Sequence, residues 1–251
     1  MWKTILDLFF PINCLGCGRE GRFICPACLK KISLNQKTMI RFKHDWPLAG
    51  LVTASHYERP LVKEAIHRYK YDFIKDLAEP LGQLMVKALR EGHFENALLI
   101  PIPLHKKRLK WRGFNQAELL AQVVSRQSEI PLAKNILKRT KYRLPQMAIK
   151  SSQQRKENIK GAFELTEGDS RVVLSTTAFR SWRKAVESQW QPLNLSPKKH
   201  IQKASLLKST QNKTIILVDD VATTGATLTE CARLLKSLRP KQIWGLVIAH
   251  G

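Results

Sequence analysis

The run Ile215-Ile216-Leu217-Val218-Asp219-Asp220-Val221-Ala222-Thr223-Thr224-Gly225-Ala226-Thr227 constrains the fold more than any other segment of the chain. Its opening apolar stretch shows no polar alternation, which predicts a short strand buried on both faces of a parallel sheet. Two carboxylates stand where that strand should end, followed by a small-residue loop dense in hydroxyls. Leu228, Leu234, Leu235 and Leu238 then fall close to helical spacing, and Pro240 stops the helix. A strand end, an acidic pair and a helix N-terminus in this order suit a phosphorylated sugar. Unpaired N–H groups and the positive end of the helix dipole favour a phosphate, and Gly225 lets the backbone approach it. Thr223, Thr224 and Thr227 add hydroxyl donors, while Asp219 and Asp220 are placed to accept hydrogen bonds from vicinal ribose hydroxyls.

At 251 residues the chain holds one α/β domain and a small appendage, and a hydrophobic content of 43% suffices for a core. Asp7 and Pro11 interrupt the apolar patch from Trp2 to Ile12, so no run reaches the length of a membrane span. That patch also lacks a signal-peptide cleavage region, which predicts a cytoplasmic protein. The net charge of +23, with a pI near 10.1, implies a polyanionic partner, a phosphorylated substrate or both. A solvated basic face is the alternative.

Cys14-Leu15-Gly16-Cys17 and Cys25-Pro26-Ala27-Cys28 each place two thiolates on one tight turn, and together they predict a tetrahedral zinc site. Gly16, Gly18 and Gly21 relieve the crowding of such turns. Two disulfides do not suit a reducing cytoplasm. With all four ligands cysteine, the metal is structural, and such sites supply ~10–16 kcal/mol of metal-linked folding free energy. Cys231, alone on the helix after the phosphate loop, reads as a buried small apolar residue.

Between these two landmarks, Gly50 to Tyr57 reads as a strand. Leu61 to Arg90 reads as helical, with Lys63, His67, Arg68, Lys70 and Lys75 on a basic side and Pro80 breaking it or starting a second helix. Ala97 to Leu104 is a buried strand ending in prolines. His105-Lys106-Lys107-Arg108 reads as a short cationic loop, and Arg112-Gly113-Phe114-Asn115-Gln116 leads into a helix from about Ala117 to Gln127. Gln146 through Phe163 is a polar segment.

Taken in order, the four-cysteine segment, the PxPL strand, RGFNQ, a Q…R…N…GAF segment and VDDVxTTGATL resemble the ComF/GntX family of competence-associated phosphoribosyltransferase-like proteins. The likeness covers almost the whole chain. It implies an α/β fold: a type I phosphoribosyltransferase-like parallel-sheet domain over residues 41–251, behind a small zinc-ribbon region over 1–40. It further implies binding of 5-phosphoribosyl-1-pyrophosphate (PRPP) with Mg²⁺. Asp219 and Asp220, the catalytic pair of such a fold, would hold the ribose hydroxyls. Ala222, Thr223, Thr224, Gly225, Ala226 and Thr227 would hold the 5′-phosphate. His105, Lys106, Lys107, Arg108 and Arg112 would grip the pyrophosphate, with a solvated basic turn as the alternative. Gln146, Arg155 and Asn158 would belong to a lid that excludes water. Cys14, Cys17, Cys25 and Cys28 would hold zinc.

The family resemblance implies a role in natural transformation, handling incoming single-stranded DNA beside other competence proteins, a helicase among them. An active enzyme transferring ribose 5-phosphate to a base or amine is the second reading. Against it, purine-base transferases carry an acid where this chain has Thr223, and a threonine has no pKa suited to that proton transfer. Other acceptors stay open. The chain departs from the family in a basic insertion at about 168–213. From Arg171 to Lys213 it holds nine Lys or Arg against one acid, Glu187, with Trp182 and Trp190 among them. Such a segment either binds single strands by phosphate contact and stacking or is a surface excursion packed on the domain.

Overall fold

The computed structural model describes residues 11–43, 46–142, 157, 159–166, 172–173 and 210–250. Its centre is a mixed, mostly parallel sheet. In chain order the strands are β1 (Met39–Arg41), β2 (Gly50–His56), β3 (Ala97–Pro101), β4 (Leu132–Ala133), β7 (Val172–Val173), β8 (Thr214–Val218), β9 (Val221–Ala222) and β10 (Gln242–His250). The spatial order is β1-β2-β10-β8-β3-β4-β7, with β9 paired to the far end of β10. All pairings are parallel except β1 on β2 and β4 on β7, which close the two edges. Beside this sheet, β5 (Leu137–Arg139) and β6 (Phe163–Leu165) form a separate antiparallel pair.

Every residue of β3 and β8 is buried, as the unbroken apolar runs predict. Alternate residues enter opposite layers: Ile216 and Val218 pack on one face, Ile215 and Leu217 on the other. The first layer is built by α2 (Pro60–Tyr71), α3 (Ala78–Leu89) and α5 (Gln116–Ser128). The second includes α6 (Ala226–Leu235). Between β2 and β3 the helical stretch divides as Pro80 allows: α2 ends at Tyr71, and Pro80 sits in the first turn of a second α-helix, α3, where a missing N–H costs nothing.

Two features position the site. Strands β3 and β8 are neighbours in register from Ala97↔Thr214 to Pro101↔Val218. Their following helices, α5 and α6, lie on opposite faces, which opens a crevice beyond the C-terminal ends of the strands. The cysteine segment, with α1 (Pro26–Lys31), is not detached from this body. Cys14, Ile24, Cys25, Cys28, Leu29 and Ile32 are buried in one continuous core with α2 and α3. A Cβ on Gly16 would lie 2.8 Å from Cys28 Sγ and 3.2 Å from Leu61 Cδ2, so only glycine lets this turn meet both α1 and α2.

Candidate functional site

Asp219 and Asp220 lie at the mouth of that crevice because the sheet holds their backbone there. Asp219 N donates to Leu246 O at 3.0 Å, and Ile248 N donates to Asp220 O at 3.0 Å. Asp219 Oδ1 accepts from Asp220 N at 2.9 Å. The loop then turns at Gly225, whose φ of 67° is left-handed, and α6 begins with no acid in its first turn. Thr224 Oγ1 accepts from Ala226 N at 3.4 Å, while Thr223 and Thr227 face the cleft. Ala222 and Ala226 are buried beneath it.

The opposite wall corrects one expectation. His105 to Arg108 does not form a loop: Lys106–Arg112 is a helix, α4. The sequence KKRLKWR has no β-branched residue, glycine or proline, and it is capped at both ends. His105 Nδ1 accepts from Lys107 N at 3.2 Å, and Gly113, at φ 78°, donates its N–H to Leu109 O at 2.8 Å. Helical geometry divides the cations. Arg108 and Arg112, one turn apart, face the cleft, whereas His105, Lys106 and Lys107 do not line it. Instead His105 and Lys107 gather around Tyr142, at 5.1 Å ring to ring and 5.4 Å from Nζ.

The cleft, of about 280 Å³, also contains residues that the sequence reading did not assign to it: Lys70, Arg139, Asn115 and Tyr71. Lys70 Nζ lies 2.8 Å from Asp220 Oδ1, and their side chains are only 20% and 12% exposed. A helical wheel places Lys70 one turn after buried Ile66, at the edge of the buried stripe of α2. Arg139 is buried, with its guanidinium 5.3 Å from the Phe163 ring; the period-two pattern of Leu137 and Arg139 in β5 would have marked it. Asn115 Nδ2 donates to Ile102 O at 3.0 Å. The Nε atoms of Arg112 and Arg139 and the Oδ1 of Asn115 are buried without a hydrogen-bond partner among the described residues. Polar atoms left so in one cleft suit a polar ligand. Gln146, Arg155 and Asn158, and Trp182 and Trp190 of the insertion, lie outside the described residues.

Electrostatically the acid pair is strained and its surroundings relieve it. Burial, and then the adjacent Asp220 charge, push the Asp219 carboxyl up to about 7 against the opposing pull of Lys70, the Asp220 N–H and Arg139. Burial works against the Lys70 ammonium, but the charge and hydrogen bond of Asp220 outweigh it and raise its pKa. Burial lowers Arg112 and Arg139, although both remain cations.

A second constellation is the cysteine cluster. The four Sγ atoms of Cys14, Cys17, Cys25 and Cys28 all lie within 4.8 Å of one another, and none is in a disulfide. Tetrahedral zinc–thiolate bonds of ~2.3 Å require sulfurs roughly 3.8 Å apart, and Cys17 and Cys25 are at 3.7 Å. Cys25 N donates to Cys14 Sγ at 3.3 Å, and Cys28 N to Cys25 Sγ at 3.4 Å. Burial opposes ionisation of Cys14, but backbone N–H groups led by that of Cys25 bring it down to about 6. The cluster can hold a metal ion.

A family model for the phosphoribosyl transferase domain matches residues 115–250, the span holding the acid pair and the threonine loop. Competence protein F of Haemophilus influenzae is 30% identical over 246 residues, covering 94% of this chain and 84% of that protein. The chain belongs to this family of phosphoribosyltransferase-domain proteins. Within it, DNA utilization protein YhgH of Escherichia coli K12 is 25% identical over 241 residues, covering 93% of this chain and 87% of its own. Competence protein ComFC of Bacillus subtilis is 31% identical over 121 residues, 43% of this chain and 48% of that one. The cysteine cluster, Lys70 and α4 all precede the matched domain. No helix among the described residues is long and apolar enough to cross a membrane.

Proposed function

We propose that this protein binds PRPP in the β3–β8 crevice and serves natural competence by handling incoming single-stranded DNA. The observation that carries the reading is one cleft with the Asp219–Asp220 pair and the Thr223–Thr227 turn on one wall and Arg108 and Arg112 on the other. In this reading the acids accept from the ribose hydroxyls, the turn and the α6 N-terminus take the 5′-phosphate, and the two arginines take the pyrophosphate. Lys70 and Arg139 add to that cationic wall. The names of the Haemophilus and Bacillus relatives support the competence role, and the charge of +23 supports a polyanionic partner.

Zinc fits the cysteine cluster: four thiolates leave no open position, so the metal would be structural and tie residues 1–40 to the domain that follows. Mg²⁺ would travel on the pyrophosphate, since Asp220 is already paired with Lys70 and Asp219 with a backbone N–H. The second reading, transfer of ribose 5-phosphate to an acceptor, differs in turnover. Calorimetric titration of PRPP with Mg²⁺ into zinc-replete protein, followed by a pyrophosphate-release assay with and without single-stranded DNA, separates the two. Binding without release is expected. Release that rises with DNA or an added base makes it a transferase, and absence of PRPP binding overturns the proposal.

A further inference from the structure

Only part of α4 faces the cleft, and what it shows to solvent is chemically unusual. Five of its seven residues are cations, none is acidic and none is buried. Arg108 and Arg112 turn inward. Lys106, Lys107 and Lys110 are exposed and do not line the cleft, and Leu109 and Trp111, on the two flanks of the helix, are 42% and 63% exposed. Tyr142 stands beside them, 53% exposed, with the Lys107 ammonium 5.4 Å from its ring. Trp111 is held at the rim by an edge contact with Phe73, centroids 4.8 Å apart at 89°, and by the Arg112 guanidinium at 5.9 Å.

A solvated basic helix needs lysines but has no use for an exposed tryptophan and tyrosine, whose apolar surface is costly to leave in water. We propose that the outer face of α4, with Tyr142, is a binding surface for single-stranded polynucleotide. Cations interleaved with held aromatic rings match alternating phosphates and base faces. Five cations and no acid on one short helix select a polyanion rather than a neutral peptide. A duplex would use the lysines but keep its bases from the rings. The cleft, at about 280 Å³, takes a sugar phosphate but not a polymer, so a strand must lie outside it. This inference rests on the reading of the protein as a single-strand handler and gives the strand an address. The address adjoins the cleft, because the inner arginines and the outer lysines share one short helix.

The test uses the full chain, zinc-replete, and a fluorescein-labelled oligo(dT) followed by anisotropy across a potassium chloride series. Trp111→Ala and Lys110→Gln are measured separately; neither residue lines the cleft. Trp111→Ala is expected to weaken binding by about tenfold at every salt concentration, as loss of one stacked base does. Lys110→Gln is expected to flatten the log–log salt slope by about 0.7, one phosphate contact on a single strand. PRPP titration and thermal melting of both variants should match wild type, which excludes misfolding. If wild type binds oligo(dT) and both variants bind with its affinity and slope, the surface is elsewhere and the inference falls. Equal affinity of wild type for a duplex of the same length, with Trp111→Ala neutral, overturns it as well. Failure of wild type to bind any oligonucleotide instead refutes the DNA-handling reading on which it rests.

Discussion

Lys70→Met tests the electrostatic design of the cleft. Lys70 and Asp220 form an ion pair at 2.8 Å between side chains that are 20% and 12% exposed, well inside the range where water no longer screens the charge fully. Removing one partner of such a buried pair costs about 3–5 kcal/mol, because the other charge is left desolvated. Arg112, which also faces Asp220, offsets some of this, so we expect about 3 kcal/mol. For a chain of this size each kcal/mol moves Tm by about 2–4 °C, giving a drop of roughly 6–12 °C. Asp220→Asn removes the other charge, and the double variant should be more stable than the sum of the singles by about 2 kcal/mol. Lys70→Arg should recover most of the loss. Thermal melts of zinc-replete protein, with PRPP titration alongside, read both stability and binding. The double variant regains stability without regaining PRPP affinity, since after Asp220→Asn only a neutral amide oxygen would accept from the ribose hydroxyl. A Tm shift below about 2 °C for Lys70→Met, or strict additivity in the cycle, would refute the claim that the two charges depend on each other.

The remaining expectations concern the walls and the metal. Arg108→Ala and Arg112→Ala should each weaken PRPP binding by about tenfold or more, as loss of a charge-assisted hydrogen bond does, whereas Lys106→Ala and Lys107→Ala leave it within about threefold; equal losses at all four positions in calorimetry would restore the loop-like grip that the sequence suggested. Asp219 is raised to about 7 from an ordinary 3.8, so the fold holds a proton that the unfolded chain has released. Its contribution to stability therefore falls as pH rises through that window, while binding that needs the ionised carboxylate strengthens. Relative to Asp219→Asn, wild-type PRPP affinity should rise about tenfold from pH 6 to pH 8, and a flat ratio in titrations across that range contradicts the assignment. Zinc analysis should find one ion per chain, and Cys14→Ser should lose it together with about 10 °C or more of Tm, given the ~10–16 kcal/mol such sites contribute; a melt unchanged by the substitution would show the cluster to be idle.

What the sequence made legible is what the chain encodes locally. The buried run at Ile215–Val218, the acids that end it and the left-handed glycine before α6 are neighbours, and strand, site and helix follow from them. The cysteine turns are local in the same way. Lys70 escaped because its partner lies far away in sequence, and only the parallel order of β2, β10 and β8 brings α2 over the acid pair. Arg139 carries a local signal in its period-two spacing with Leu137, but its place in the cleft depends on a strand pair outside the main sheet. Helix α4 differs in kind. Its caps and helix-forming composition are local, but a dense run of cations after a strand end also suits a phosphate-gripping loop, and only the helix divides those cations between two sides. The union of the cysteine segment with the main core was not readable at all, since it depends on how Gly16 meets α2.

That division bears on whether the cleft is built to hold PRPP or to consume it. Rate acceleration comes only from contacts stronger in the transition state than in the ground state. In the proposed reading, Lys70, Arg108, Arg112 and Arg139 would meet an anionic ligand as it enters the cleft they line. Acceptor activation requires a group that changes protonation near neutral pH. At the turn, Thr223 supplies none, and Asp219, which does titrate there, is tied to the ribose side of the site by its place at the end of β8. Four cations would also stabilise a departing pyrophosphate, whose charge grows in the transition state, so the cleft suits both holding PRPP and releasing pyrophosphate. Turnover then hinges on acceptor activation, which the pyrophosphate-release assay reads directly.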